Sequence, residues 1–170
     1  MENNNNRSTQ RGMQSASSQP QNTTASSNMS QQGNVMKDYG AAPVIFDMET
    51  VTKMNNNFRT ALWTGNHLQI TLMAIQPGDD IGVEMHPNLD QFIRIEQGDG
   101  IVSLGNSMDD LSFTQPIGDD DAVVIPAGSY HNISNTGDVP MKLYSIYAPP
   151  QHPYGLVQRT KAEADAQKDD

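Results

Sequence analysis

Residues 78–98 read GDDIGVEMHPNLDQFIRIEQG, and this stretch decides the fold. Two short β-rich runs, Gly82–His86 and Gln91–Glu96, stand on either side of Pro87-Asn88-Leu89-Asp90, a turn-forming segment. Glu84 and His86 lie two apart on the first predicted strand, so their side chains leave the same face. Gln91 opens the second strand and can fold back beside them. A carboxylate, an imidazole and an amide thus gather around one turn.

The same grammar extends outward in both directions. The sequence predicts further strands at Val44–Phe46, Arg59–Trp63, Leu68–Gln76, Gly100–Leu104, Leu111–Thr114, Ala122–Ile125, Tyr130–Ser134 and Met141–Tyr147. Between them stand turn formers such as Thr64-Gly65-Asn66, Pro77-Gly78-Asp79, Gly98-Asp99-Gly100, Pro126-Ala127-Gly128 and Asn135-Thr136-Gly137-Asp138. Many short strands at roughly ten-residue spacing indicate an all-β sandwich or barrel. Alternation in Leu68, Ile70, Leu72 and Ala74, and of Leu143 and Ser145 against Tyr144 and Ile146, gives most strands two distinct faces. One helix is expected, at the end, where Thr160 followed by Glu163 makes a capping box leading into Lys161–Gln167. Its polar composition reads as a frayed surface helix.

Hydrophobic residues make up 35% of the chain, low for one that must fold throughout, and the shortfall is local. Up to Met36 most positions are Asn, Gln, Ser or Thr, with no aromatic residue. Such a segment cannot offset about 1–2 kcal/mol of backbone entropy per ordered residue, so it is expected to be disordered. The division expected is a tail over residues 1–37, one domain over 38–160 and a short polar helix over 161–170. The net charge of −10 and the lack of any Lys/Arg run argue against nucleic acid as a partner. The acidic groups Asp79-Asp80, Asp109-Asp110 and Asp119-Asp120-Asp121 read as solvated turn charge, without EF-hand spacing.

Cysteine is absent, which excludes disulfides, thiolate ligands and thiol nucleophiles and fits a reducing compartment. No signal-type apolar region or membrane-length apolar stretch occurs, so a cytoplasmic protein with no membrane partner is expected.

His131 follows the Pro126-x-Gly128 turn and joins Glu84, His86 and Gln91 as a candidate metal ligand. Two imidazoles and a carboxylate suit a divalent transition metal with open coordination positions, and Gln91 adds a neutral oxygen. These residues also have simpler uses. His86 and His131 would serve as barrel-lining histidines satisfied by hydrogen bonds, Glu84 as a histidine's hydrogen-bond partner, and Gln91 as a donor that orients the others.

At this point the sequence resembles a known family. Gly78-x5-Glu84-x-His86-x4-Gln91-x6-Gly98 is similar to the first cupin motif, and Asp120-x5-Pro126-x-Gly128-x2-His131-x3-Asn135 to the second. The resemblance implies a cupin double-stranded β-helix, a jelly-roll barrel. Glu84 stands where the first motif has its first His, and Gln91 where it has its Glu, so the carboxylate has moved within the set. Asp120 replaces the second motif's opening Gly, a change that touches only a turn. Leu62-Trp63-Thr64-Gly65, Glu84-Met85-His86-Pro87, residues 90–96 and residues 143–150 resemble a bacterial single-domain cupin type-2 subgroup, often called mannose-6-phosphate-isomerase-like. That name does not establish sugar isomerisation. The subgroup tends to carry a further His where this chain has Gln158, which argues against a catalytic role for the C-terminal segment.

His67 and His152 read as surface or loop residues, while Tyr130 and Arg94 are expected to point away from the site. The expectation is a metal-binding cupin acting on a small molecule, by dioxygenation or isomerisation, with Mn, Fe, Ni, Cu or Zn held by Glu84, His86, Gln91 and His131. No general acid or base is identifiable beyond these ligands. A non-catalytic ligand-binding module, or a structural protein docked through its tail, are the other readings. The resemblance also implies a homodimer, through outer faces that carry Phe92.

Overall fold

The structure, a computed structural model, describes residues 36–167. The expected tail lies, up to residue 35, outside the described residues, as do residues 168–170. The strands are β1 (Arg59–Thr64), β2 (Gln69–Ile75), β3 (Asp90–Gln97), β4 (Gly100–Gly105), β5 (Phe113–Ile117), β6 (Ala122–Ile125), β7 (Tyr130–Asn135), β8 (Met141–Ala148) and β9 (Val157–Gln158). The helices are α1 (Met48–Met54) and α2 (Lys161–Ala166). A six-stranded sheet in the order β6-β3-β8-β2-β1-β9 faces a three-stranded sheet in the order β5-β4-β7. The pairings are antiparallel throughout, giving the expected all-β jelly roll.

The core follows from the alternation. The inward positions Met73, Ile75, Ile93, Ile95, Met141 and Leu143 of the large sheet meet Val102, Ile117 and Ile133 of the small one. Each such buried side chain contributes about 1.5–3 kcal/mol. The other face of the large sheet is covered as well. Leu62, Leu72 and Ile70 pack against Val51 and Met48 of α1 and against Met36, Tyr39 and Phe46. So the alternating Ile70 and Leu72 face α1 and the N-terminal segment, while Met73 and Ile75 fill the space between the sheets.

Several expectations need correction. Val44–Phe46 is not a strand: it makes no ladder, and while Phe46 packs on the outer-face cluster, Ile45 is left exposed. The helix that follows was not expected. Its N-cap is Asp47, whose carboxylate accepts from the Thr50 backbone N–H, and Glu49 pairs with Lys53 one turn on at 2.6 Å.

Gly82–His86 is also no regular strand. The backbone bends at Gly82, which has φ of +77° and donates its N–H to Asp80 Oδ1, so the chain meets β7 in isolated bridges, at Asp80 just before this segment and at Glu84 within it. The strand expected at Leu111–Thr114 lies at Phe113–Ile117, and runs through Pro116 because β5 is an edge strand. The last helix is capped as expected, by Thr160 accepting from the Glu163 N–H, but it is anchored through Ala164, buried in the core. Asp120, in the place of the motif's glycine, has φ of +70° and is steadied by Arg94 at 2.6 Å.

Candidate metal centre

The site sits where the inner face of the barrel turns polar. Four segments supply it. Glu84 and His86 come from the bent segment after Gly82, His131 from β7, Gln91 from the start of β3, and Arg59 from the start of β1. The Glu84 bridge to His131 is double, each backbone N–H donating to the other's carbonyl at 2.9–3.0 Å, so these two side chains are fixed opposite each other. His86 is held by its carbonyl, which accepts from the Gly128 N–H at 2.8 Å. The Pro126-x-Gly128 turn of the second motif is thereby tied to the His of the first.

One oxygen faces both rings. Glu84 Oε1 lies 3.4 Å from His131 Nε2 and 3.5 Å from His86 Nε2. Among the described residues, none of these three buried atoms makes a hydrogen bond. The contacts are longer than the roughly 2.7–2.9 Å of a charge-assisted N–H···O bond. Donor atoms about 2.0–2.2 Å from a four-coordinate transition metal lie roughly 3.3–3.6 Å from one another, which these separations match. The ligating atoms of Glu84, His86 and His131 all fall within 4.8 Å of each other.

The protonation pattern agrees. His131 Nδ1 lies 3.0 Å from the Ser129 carbonyl oxygen, which only accepts, so Nδ1 carries the proton. In the neutral ring Nε2 then presents a bare lone pair to the carboxylate. Burial works against the charge of Glu84, but the His131 and His86 imidazoles and the Arg59 guanidinium outweigh it and hold the carboxyl well below the usual carboxylate range. A carboxylate oxygen that faces the His131 lone pair with no proton between them leaves a place for a cation. The residues present therefore fit a divalent metal.

Gln91 is buried on the strand register that pairs it with Tyr147, whose ring meets His86. Its Nε2 donates to Ser145 Oγ at 3.3 Å, and its Oε1 is buried without a partner. The amide is thus oriented with its oxygen spare.

Other residues at the site were not foreseen. Arg59 is 3% exposed, and its Nη2 lies 4.0 Å from Glu84 Oε2. Tyr147 is fully buried and meets the His86 ring edge-on, with centroids 5.7 Å apart. Burial pushes its phenol up to about 12, so it holds its proton through the neutral range. His152, expected as a surface or loop residue, lies in the loop after β8, where it stacks edge-on against Tyr147 at 5.2 Å, with its Nε2 3.4 Å from the phenol oxygen. A cavity of about 570 Å³ opens from Glu84 and His86 and is also bordered by Arg59, Tyr130, His152 and Gln158. Tyr130, expected to point away, therefore borders this cavity, and so does the C-terminal segment, for which no catalytic role was expected. Arg94 points outward as expected, paired with Glu96 and Asp120. One signal was available for Arg59, as a lone charge opening an apolar strand, whereas no local spacing ties Tyr147, His152 or Gln158 to the ligands.

The Cupin domain family profile matches residues 71–147, the span holding all four candidate ligands. The chain is 58% identical to protein YrkC of Bacillus subtilis (strain 168) over 135 residues, covering 79% of this chain and 73% of that one. It is 37% identical to protein L612 of Acanthamoeba polyphaga mimivirus over 115 residues, or 66% of this chain and 69% of that one. The crystal structure of BH2720 from Bacillus halodurans is similar with a TM-score of 0.76 and 57% identity, covering 76% of this chain and 98% of that chain. A Klebsiella pneumoniae protein with a double-stranded β-helix domain shares the fold at a TM-score of 0.54 and 18% identity, over 70% of this chain and 100% of its own.

Proposed function

The chain belongs to the cupin superfamily, and from that premise we propose that it is a metal-dependent enzyme acting on a small molecule bound in the cavity beside Glu84. One observation carries this reading: Glu84 Oε1 faces two ring nitrogens at 3.4–3.5 Å with no hydrogen bond to either. Glu84, His86 and His131 hold a divalent transition metal, and Gln91 completes or orients the set through its unpartnered oxygen. Such an ion supplies Lewis acidity or redox chemistry, which fits a dioxygenase- or isomerase-type reaction. Ser129 fixes the tautomer of His131 through its carbonyl, and Ser145 fixes the amide of Gln91.

The experiment is elemental analysis of the purified chain beside the His86→Ala/His131→Ala double variant. Near-stoichiometric metal in the wild type and none in the variant is the expected result. Absence of metal from both, after reconstitution with Mn, Fe, Ni, Cu and Zn, would overturn the reading.

A second reading, a ligand-binding module without turnover, is favoured by one feature. Tyr147, whose ring meets His86, keeps its proton because burial pushes its phenol up to about 12, so it offers no ready base. Ligands that raise the melting temperature of the metal-loaded chain without product would select this reading. The proposal further includes a cytoplasmic homodimer assembled through the outer face near Phe92. Light scattering coupled to size-exclusion chromatography checks the dimer.

A further inference from the structure

Arg59 is the one charge at the site that the metal reading leaves without a task. Its guanidinium is buried, 3% exposed, yet among the described residues two of its three nitrogens have no hydrogen-bond partner. Those two are Nε and Nη2, which form one straight edge of the planar group. The remaining nitrogen, Nη1, donates to Gln158 Oε1 at 3.1 Å. Gln158 is itself held by a bond from its Nε2 to Gln167 Oε1 at 2.8 Å. The fork is therefore braced from behind.

Glu84 does not use that edge. Its only approach is Oε2 to Nη2 at 4.0 Å, too long for a hydrogen bond and one-sided where a fork would be met by two oxygens. Burying a cation with unmatched donors costs stability unless something else engages them. Arg59 borders the same cavity as Glu84 and His86, so a molecule in that cavity reaches the edge directly. Two parallel N–H groups on a planar cation match the two oxygens of a carboxylate.

We infer that the Nε–Nη2 edge of Arg59 is a carboxylate receptor, so that the small molecule taken by this cavity carries a carboxylate that docks on Arg59 beside Glu84 and His86. The inference rests on the metal-site reading for where the rest of that molecule lies. Specificity then comes from charge and planarity. A neutral amide of the same shape brings an N–H₂ group against the guanidinium and leaves its donors poorly matched.

The test is calorimetric titration of the full chain, with its metal content measured in the same sample, by acetate, pyruvate and oxalate, each beside its neutral amide. At least one carboxylate is expected to bind about tenfold or more tightly than its amide, a preference of the size a charged hydrogen-bonded pair supplies. In Arg59→Gln that preference disappears while the metal content stays at the wild-type level. Arg59→Lys keeps the charge without the fork, so it retains part of the preference and serves if the Gln variant does not fold. Equal binding of acid and amide by the wild type, or an unchanged preference in both variants, would overturn the inference. Metal content separates the two failures. Equal binding of acid and amide by the metal-loaded wild type sinks only the Arg59 receptor, and absence of metal from the wild type sinks the reading beneath it.

Discussion

The inner face of the large sheet has two halves, and the same strands make both. Along β3 the inward positions run from Gln91 to Ile93 and Ile95; along β8, from Tyr147 and Ser145 to Leu143 and Met141. Along β2 they run from Gln69 and Thr71 to Met73 and Ile75, and the small sheet facing them shows the same change along β7, from His131 to Ile133. Register aligns these changes into layers, since Gln91 pairs with Tyr147 while Ile95 pairs with Leu143 and Leu143 with Met73. One half is a dry apolar core. The other holds buried polar atoms without partners at Glu84, His86, His131, Gln91 and Arg59. The difference teaches that stability and chemistry are divided lengthwise along shared strands. The apolar half supplies the free energy that lets the polar half keep unsatisfied groups in place.

That division is open to attack from either side. Leu143→Ala, in the apolar half, is expected to lower unfolding free energy by about 2–5 kcal/mol in urea melts, with metal stoichiometry unchanged. Loss of metal in a folded Leu143→Ala chain would show that the halves are not separable. Removing the metal with a chelator attacks the other half. Where free metal had stood at a hundred times its dissociation constant, apparent stability should fall by about 2.7 kcal/mol, and His86→Ala/His131→Ala should show no such response. Gln91→Ala sharpens the boundary, because Gln91 shares a strand face with Ile93 and Ile95. It should weaken metal affinity by about 10- to 100-fold in competition with a fluorescent chelator while the urea midpoint moves little. The smallest effect belongs outside both halves. Asp47→Ala removes the cap of α1 and should cost about 1 kcal/mol of stability, with metal affinity untouched.

Legibility followed the range of the interactions. β3, β4, β6, β7 and β8 were readable because alternation and turn residues are local properties of the chain. α1 was missed although Asp47, Glu49, Thr50 and Lys53 hold the cap and the i,i+4 pair that announce it; Val44-Ile45-Phe46 before it looked like a strand. Gly82–His86 was misread as a regular strand because the bend at Gly82 shows only in the backbone angles. The ligand candidates survived that error. Glu84 and His86 converge through their bridges to β7 and to the Gly128 turn, not through strand alternation.

The sequence by itself determined the short strands and the two motifs, because turn chemistry and short spacing are written residue by residue. The jelly roll and the meeting of His131 with Glu84 and His86 were what the cupin resemblance implied. Tertiary structure alone decided that Arg59 reaches this site across 99 residues to Gln158, that Tyr147 and His152 stack behind His86, and that α1 seals the outer face. Those contacts depend on strand order and on how layers pack. No local pattern carries that information, because chain distance says little about which faces a closed barrel brings together.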